Sequence, residues 1–121
     1  MVDIEKQNMI VLIVEENNNP IVKRIPNRLD TMRKIVGNQN IEVLKYNDVL
    51  VIFDADSYKK GKIINRFLDD IKIRGTFIIA GDDEFSKDFK DLTEKQINKY
   101  TKMFEIEQEI LQEQEEEIEY E

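Results

Sequence analysis

The sequence predicts an α+β domain, with one small mixed or antiparallel sheet of about five strands, one short helix and a longer C-terminal helix packed on it. Short runs of β-branched and apolar residues recur along the chain, and each is too short to be a helix. Two other segments carry apolar residues at helical spacing. Strands and helices do not alternate regularly, which favours a sheet built largely from hairpins, with the helices on one face.

Five apolar segments are predicted to be the main strands. The first is apolar throughout, as in a strand buried on both faces, and the second alternates apolar and basic residues, as in a half-buried strand that pairs back on the first. Between residues 54 and 74 the pattern is weakest, and only 63–64 and 71–73 are candidates for short edge strands. The five main segments are 9–14, 21–25, 41–44, 49–53 and 75–81.

Two amphipathic segments are predicted to be helices. The first follows Pro26, takes Asn27 as its N-cap and ends at Gly37. The second begins at Thr93, which forms a capping box with Gln96. The apolar stripes expected to pack on the sheet are Leu29, Met32, Ile35 and Val36 in the first helix, and Ile97, Tyr100, Met103 and Phe104 in the second.

The composition limits both the size of the core and the available chemistry. The 121 residues suit one ordinary domain, and we expect a flexible N-terminus over 1–8, the α+β domain over 9–104 and an acidic, partly helical tail over 105–121. Cysteine is absent, which excludes disulfides and thiolate sites, and histidine is absent as well. We therefore predict that the chain is not an enzyme.

The net charge of −8 is concentrated in the tail. Nine of the 26 acidic residues lie in 105–121, which contains no Lys or Arg. The remaining 17 acidic and 18 basic residues leave 1–104 at about +1. Because a neutral body has little electrostatic attraction for phosphates, we expect no direct binding of nucleic acid or of an anionic membrane.

The longest apolar run, residues 9–14, is much shorter than the roughly 20 residues that a membrane-spanning helix needs. The run also lacks the basic leader and small-residue cleavage site of a signal peptide. We therefore expect the protein in the cytoplasm of the cell in which it is made.

Acidic side chains follow two of the predicted strands. Asp54 and Asp56 end one buried strand, and Asp82 and Asp83 end another. Parallel neighbouring strands would bring them to one sheet edge, as a Mg²⁺ site requires, whereas antiparallel strands would place them at opposite ends. Aspartate is also common wherever strands turn. We predict no metal or other cofactor, and these four aspartates are the residues that would hold one.

Asn65 and Arg66 are the polar pair that most suggests binding. The planar guanidinium suits phosphate or carboxylate, an asparagine amide can read a base or amide edge, and both residues lie in the least regular segment. The structural alternative is that Arg66 pairs with Asp69 or Asp70 and fixes the loop. The ligand- or partner-binding candidates are Asn65, Arg66 and Asp70. The basic run 58–62 lacks a glycine-rich phosphate cradle and an aromatic platform, so we interpret it as a solvated turn.

The acidic tail has three interpretations. It could imitate the charge of nucleic acid and occupy a basic groove of a host protein, dock its isoleucines on a partner, or keep the protein soluble. Apolar residues recur every seven positions, but Glu107 and Gln114 stand where a coiled coil needs further apolar residues. The candidate partner-binding residues of the tail are Ile106, Ile110, Leu111, Glu113, Glu115, Glu116 and Glu117.

Several short motifs occur in an order that resembles a known family. They are Ile25-Pro26-Asn27, Asn65-Arg66, Asp70-Ile71 ahead of the segment 75–81, Asp88-Phe89, and Leu92-Thr93 ahead of a helix with Tyr100 and Phe104. This order is similar to domain of unknown function 3846, whose members occur in phages, plasmids and conjugative elements of bacteria. Residues 1–8 and the tail lie outside the pattern. The resemblance implies a compact α+β fold and a mobile-element context, and it assigns no catalytic residues.

Three functional hypotheses follow. The first is a non-enzymatic accessory protein of a phage or mobile element that binds a host macromolecule, most simply a host protein, with a defence component among the candidates. The second is a protein that binds or sequesters a nucleotide-like small ligand beside Asn65 and Arg66. The third is a metal-dependent hydrolase that uses the four aspartates, but the sequence supplies no nucleophile paired with a base.

Overall fold

The computed structural model describes residues 8–86 and 88–106. The predicted partner-binding residues of the tail from Ile110 onward lie outside these ranges, namely Ile110, Leu111, Glu113, Glu115, Glu116 and Glu117. In chain order the described elements are β1 (Asn8–Val14), β2 (Ile21–Pro26), α1 (Leu29–Val36), β3 (Ile41–Tyr46), β4 (Val49–Asp54), β5 (Ile64–Leu68), β6 (Ile71–Arg74), β7 (Phe77–Asp83), β8 (Asp88–Lys90) and α2 (Glu94–Phe104).

The main sheet is antiparallel, with the strand order β2-β1-β7-β4-β3. The hairpins β1–β2 and β3–β4 form its two halves, and β7 pairs with one strand of each. β5 and β6 pair only with each other, as a separate two-stranded sheet. The predicted α+β class, with an antiparallel sheet and two helices, is confirmed.

The central strands β1, β7 and β4 are buried on both faces. Because successive side chains of a strand point to opposite faces, Leu12 and Val14 join one core, whereas Met9, Val11 and Ile13 join the other. This double burial explains why these strands are nearly continuous apolar runs. An alternating pattern would have left one face open to water.

The two helices cover opposite faces of the sheet, so the expectation that both lie on one face is wrong. α1 packs Met32 and Val36 into one core. α2 packs Tyr100 and Phe104 into the other, together with Leu68 of the β5–β6 hairpin. The reason is that both faces of the central strands are apolar and each needs its own cover. Neither helix has the length and apolar character to cross a membrane within the described part of the chain.

The helix ends partly follow the sequence. Thr93 accepts a hydrogen bond from the Gln96 amide (3.1 Å) and donates its own amide to the Gln96 side chain (2.9 Å), which confirms the capping box. Gly37 ends α1 in a left-handed conformation, as predicted. The N-cap of α1 is Arg28 and not Asn27, whose side-chain amide instead donates to the carbonyl of Phe89 (3.5 Å).

The polar segment after β7, expected to be a loop through Asp91, contains the short strand β8. β8 continues the line of β1 along the edge of β7, with Gly81 opposite Lys90. The chain passes so close that a Cβ atom on Gly81 would lie 2.5 Å from the carbonyl oxygen of Asp91. The glycine that brackets this strand in the sequence is therefore needed for the close approach of β8.

Of the segments 63–64 and 71–73, expected as short edge strands, the first contributes Ile64 to β5 and the second lies in β6, and these two strands form a hairpin separate from the main sheet. Asn65 is bulged out of the register, because Ile64 pairs with Arg74 and Arg66 pairs with Ile73. A bulge breaks the regular alternation of apolar and polar residues, which is why the pattern of this segment is weak.

Candidate functional site

Asn65 is held by the ends of two strands of the fold. Its side-chain amide donates to the carbonyls of Val14, the last residue of β1, and Gly75, just before β7, both at 2.9 Å. Its side-chain oxygen accepts a hydrogen bond from Arg66 Nη1 at 2.7 Å. Both ends of the amide therefore have partners inside the protein.

The guanidinium of Arg66 donates chiefly to main-chain carbonyls. Nε and Nη2 donate to the carbonyl of Phe104 at 3.0 and 2.8 Å, and Nη2 also donates to the carbonyl of Asn18 at 2.7 Å. Nη1 donates to both oxygens of Asn65. Because Phe104 is the last residue of α2, Arg66 places a positive charge on the carbonyl end of that helix, where it stabilises the helix dipole. Burial lowers the pKa of Arg66.

The predicted pairing of Arg66 with Asp69 or Asp70 does not occur, because these aspartates form the β5–β6 turn while Arg66 points into the domain. Asp69 lies near Tyr46, whose hydroxyl is 3.4 Å from Oδ1. Asp70 is exposed in the turn. Of the three candidates, the structure brings together only Asn65 and Arg66, and both act within the fold.

Asp54 is a buried carboxylate at the end of β4. Its side chain is 0% exposed and lies 2.6 Å from Lys62 Nζ and 3.3 Å from Lys60 Nζ. It also accepts hydrogen bonds from the Asn38 side chain (2.6 Å) and the Asp56 amide (2.8 Å). Burial alone would raise the pKa of Asp54, but these donors outweigh it and lower the pKa to about 2.

The same two lysines also hold the end of α1. Lys62 Nζ donates to the carbonyl of Val36 (3.0 Å) and Lys60 Nζ to the carbonyl of Gly37 (3.3 Å). The negative end of the helix and the carboxylate of Asp54 thus share two cations. Lys60 and Lys62, expected in a solvated turn, join α1, β4 and the loop between β4 and β5.

The four aspartates do not converge. β4 and β7 are antiparallel, with Val49 opposite Gly81, so Asp54 and Asp56 lie at one end of the sheet and Asp82 and Asp83 at the other. The alternative that antiparallel strands would separate them is therefore the one observed. No group of three or more acidic side chains in residues 8–86 and 88–106 is arranged to hold a metal ion.

Each of the remaining aspartates has a local partner. Asp56 accepts from the side chains of Asn38 (2.8 Å) and Asn40 (3.2 Å), and these bonds lower its pKa. Asp82 lies 3.3 Å from Lys45 Nζ. Ser86, first through its side chain and then through its main-chain amide, lowers the pKa of the Asp83 carboxyl, and the bond from the amide fixes the β7–β8 turn.

The comparison with protein families matches the chain to the family described as Domain of unknown function (DUF3846), over residues 9–105. The chain belongs to this family. The match begins in β1 and ends just after α2, so it covers both cores of the DUF3846 domain. Comparisons with curated proteins and with solved structures find no match.

One polar joint of the DUF3846 domain escaped the sequence analysis. The hydroxyl of Tyr100 donates to Asp48 Oδ1 at 2.6 Å, and the Gln96 side chain donates to Asp48 Oδ2 at 2.9 Å. Burial, with the adjacent carboxylate, raises the pKa of Tyr100 to about 12. The joint fixes α2 to the β3–β4 turn. The polar tip of a tyrosine within an apolar helical stripe is the signal that could have revealed it.

The outer surface of the β5–β6 hairpin was also missed. We call Tyr58, Phe67, Lys72 and Arg74 the hairpin face. Phe67 lies opposite Lys72, and Arg74 shares that side of β6, with its guanidinium 5.2 Å from the ring centroid of Tyr58. Tyr58 is 77% exposed and Phe67 58%. The cross-strand spacing of these residues could not be derived while the hairpin itself was unrecognised.

A cleft of about 560 Å³ lies between the end of α1 and the loop before β5. Asn65 and Arg66 are not among the residues that line it. The polar side chains of its wall are those of Glu16, Lys60, Lys62 and Thr76.

We predict that Arg66→Ala lowers the free energy of unfolding by about 2–3 kcal/mol, because it leaves the carbonyls of Phe104 and Asn18 without their charged donor. Urea denaturation at neutral pH measures the change. The matched control is Lys72→Ala on the same hairpin, where the exposed side chain should change stability by less than about 0.5 kcal/mol. Equal stability of Arg66→Ala and the wild type would show that the guanidinium does not hold α2.

We predict that Asp54 makes stability depend on pH in the acid range. Its folded pKa of about 2 lies below the ordinary value of 3.8. Its contribution is therefore fully present above about pH 4 and is lost as the pH falls toward about 2. Asp54→Asn should lower the free energy of unfolding by about 2 kcal/mol at neutral pH and flatten its decline below about pH 4. Asp70→Asn, at an exposed aspartate, serves as the control, and an unchanged acid slope in Asp54→Asn would contradict the assignment.

Proposed function

We propose that this domain is a non-enzymatic protein-binding module of a phage or other mobile element, acting in the cytoplasm of the host cell. Its partner would be a host protein, with defence components among the candidates. The observation that supports this proposal is the hairpin face, where two aromatic rings and two cations stand together on the surface. Aromatic side chains and arginine are enriched among the residues that dominate protein interfaces.

The polar side chains argue against catalysis. Arg66 and Asn65 have their donors engaged by main-chain carbonyls, and Asp54 is held as an ion by two lysines. Catalytic carboxylates need a substrate within reach, whereas Asp54 is fully buried. The chain contains no histidine or cysteine to act as base or nucleophile. Binding through surface contacts is the activity that these arrangements favour.

The hairpin face indicates the chemistry of the partner surface. Covering the ring of Phe67 removes apolar area from water, worth about 1.5–3 kcal/mol for full burial. Lys72 forms no ion pair within the described residues and is exposed. A complementary surface is therefore an apolar pocket with acidic residues at its rim. The proposed role of the tail in partner binding involves residues outside the described ranges, except Ile106, and this surface does not depend on it.

We predict that Phe67→Ser in a tagged full-length protein reduces capture of the host partner from lysate by at least about tenfold, because a lost ring contact of about 1.4 kcal/mol changes affinity by that factor. Captured proteins are quantified by mass spectrometry. Leu29→Ser is the matched control, since Leu29 is 49% exposed on α1 at the opposite face of the sheet. Both variants should melt within a few degrees of the wild type.

Equal capture by Phe67→Ser and the wild type would show that the hairpin face does not bind the partner. A third protein ending at residue 106 separates the contribution of the tail. If the tail also contacts the partner, capture by this shortened protein should fall while its Phe67 remains in place.

The second candidate is a small-ligand-binding function, which the cleft favours. Its volume of about 560 Å³ lies within the range of roughly 300–1,000 Å³ that is usual for ligand pockets. Two lysines in its wall could attract an anionic, nucleotide-like ligand, although Asp54 already neutralises much of their charge.

Native mass spectrometry of the untagged, freshly purified protein distinguishes the two functions. The protein-binding proposal predicts the bare mass of the chain. A retained mass of a few hundred daltons that disappears in Lys60→Ala, and not in Lys72→Ala, would instead assign a ligand to the cleft.

A further inference from the structure

β2 is an exposed edge of the main sheet. Among the described residues it is hydrogen-bonded only to β1. Four consecutive side chains, those of residues 21–24, are exposed, and Ile21 and Val22 are 47% and 51% accessible. An uncovered edge strand offers unpaired main-chain groups to any extended segment, and proteins usually cover or protect such edges.

The charge of the β2 edge indicates which kind of segment can bind there. Lys23 and Arg24 are exposed, and neither forms an ion pair within residues 8–86 and 88–106. Antiparallel pairing of two β2 strands about a two-fold axis would bring the basic residues of two copies together, which is unfavourable. The opposite edge, β3, carries the exposed Glu42 and would repel an acidic segment. β2 is therefore the edge that suits an acidic, partly apolar strand.

The chain leaves the domain beside this edge. The amide of Ile106 donates to Asn19 Oδ1 at 2.7 Å, two residues before β2 begins. Close by, Arg66 donates to the carbonyls of Phe104, two residues before Ile106, and Asn18. The end of α2 is thus fixed against the β1–β2 turn, at the Ile21 end of β2.

The remaining segment, 107–121, matches the edge in charge and length. It contains eight glutamates and no Lys or Arg, together with Ile110, Leu111, Ile118 and Tyr120. β2 is six residues long, or about 20 Å at the usual rise of a strand, and fifteen residues can span that distance. Because the segment is tethered next to the strand, its effective concentration there is high.

We propose that residues 107–121 dock along β2 of the same molecule as an added strand. Their glutamates neutralise Lys23 and Arg24, and their apolar residues cover Ile21 and Val22. The docked segment seals the edge and prevents its pairing with other chains. This inference is independent of the hairpin face, which belongs to the separate β5–β6 sheet.

Hydrogen–deuterium exchange of the full-length protein tests the proposal. In low salt, the β2 amides should be protected, and raising salt to about 0.5 M should speed their exchange because the attraction of exposed charges is screened. The double variant Lys23→Glu with Arg24→Glu should exchange at least about tenfold faster in β2. The control, Lys34→Glu with Lys95→Glu, makes the same charge change at exposed positions of α1 and α2 and should leave β2 protection unchanged.

Three outcomes would overturn the proposal. One is β2 exchange that is identical in the wild type and the Lys23/Arg24 double variant. Another is exchange in the wild type that does not respond to salt, which is measured without any substitution and so does not depend on the stability of a variant. The third is protection that increases with protein concentration, which would place a second copy of the chain on the edge.

Discussion

The fold depends on β7 being buried on both faces while it pairs with strands on both sides. Without β7, the hairpins β1–β2 and β3–β4 would be two separate ribbons with no shared core. Its alternate residues contribute Phe77 and Ile79 to one core and Ile78 and Ala80 to the other. Because residues 77–81 of this strand are buried, each face requires a cover, and the positions of α1, α2 and the β5–β6 hairpin follow from this requirement.

Polar joints at the margins of the cores fix these covers in place. Asp54 with its two lysines holds the end of α1, Asp48 holds the middle of α2 through Tyr100, and Arg66 holds the end of α2. Each joint satisfies groups that burial would otherwise leave without partners. The polar residues that suggested a binding or metal site in the sequence therefore position helices instead. The proposed function rests on the exposed hairpin face.

The sequence predicted the elements better than their arrangement. Continuous apolar runs, the Thr93 capping box and the terminating glycine of α1 each depend on local physics, and each was found where predicted. The bulge at Asn65 interrupts the alternating pattern of β5, so the strand could not be recognised from the sequence. Phe104, whose carbonyl Arg66 binds, lies 38 residues away in the sequence. An arginine in the sequence is the same residue whether its guanidinium binds a phosphate or a helix carbonyl. The spacing of residues along the chain therefore could not distinguish a binding site from a structural joint.

Arg66 is engaged by the end of α2 and is therefore not free to bind a ligand. Nuclear magnetic resonance of the isotope-labelled full-length protein tests it directly, through the hydrogen-bond scalar coupling between Arg66 Nε and the carbonyl carbon of Phe104. We predict a measurable coupling and an Arg66 Nε proton that exchanges slowly with water, in contrast to that of the exposed Arg24. An Arg66 proton that exchanges as fast as that of Arg24, with no coupling to Phe104, would contradict the account.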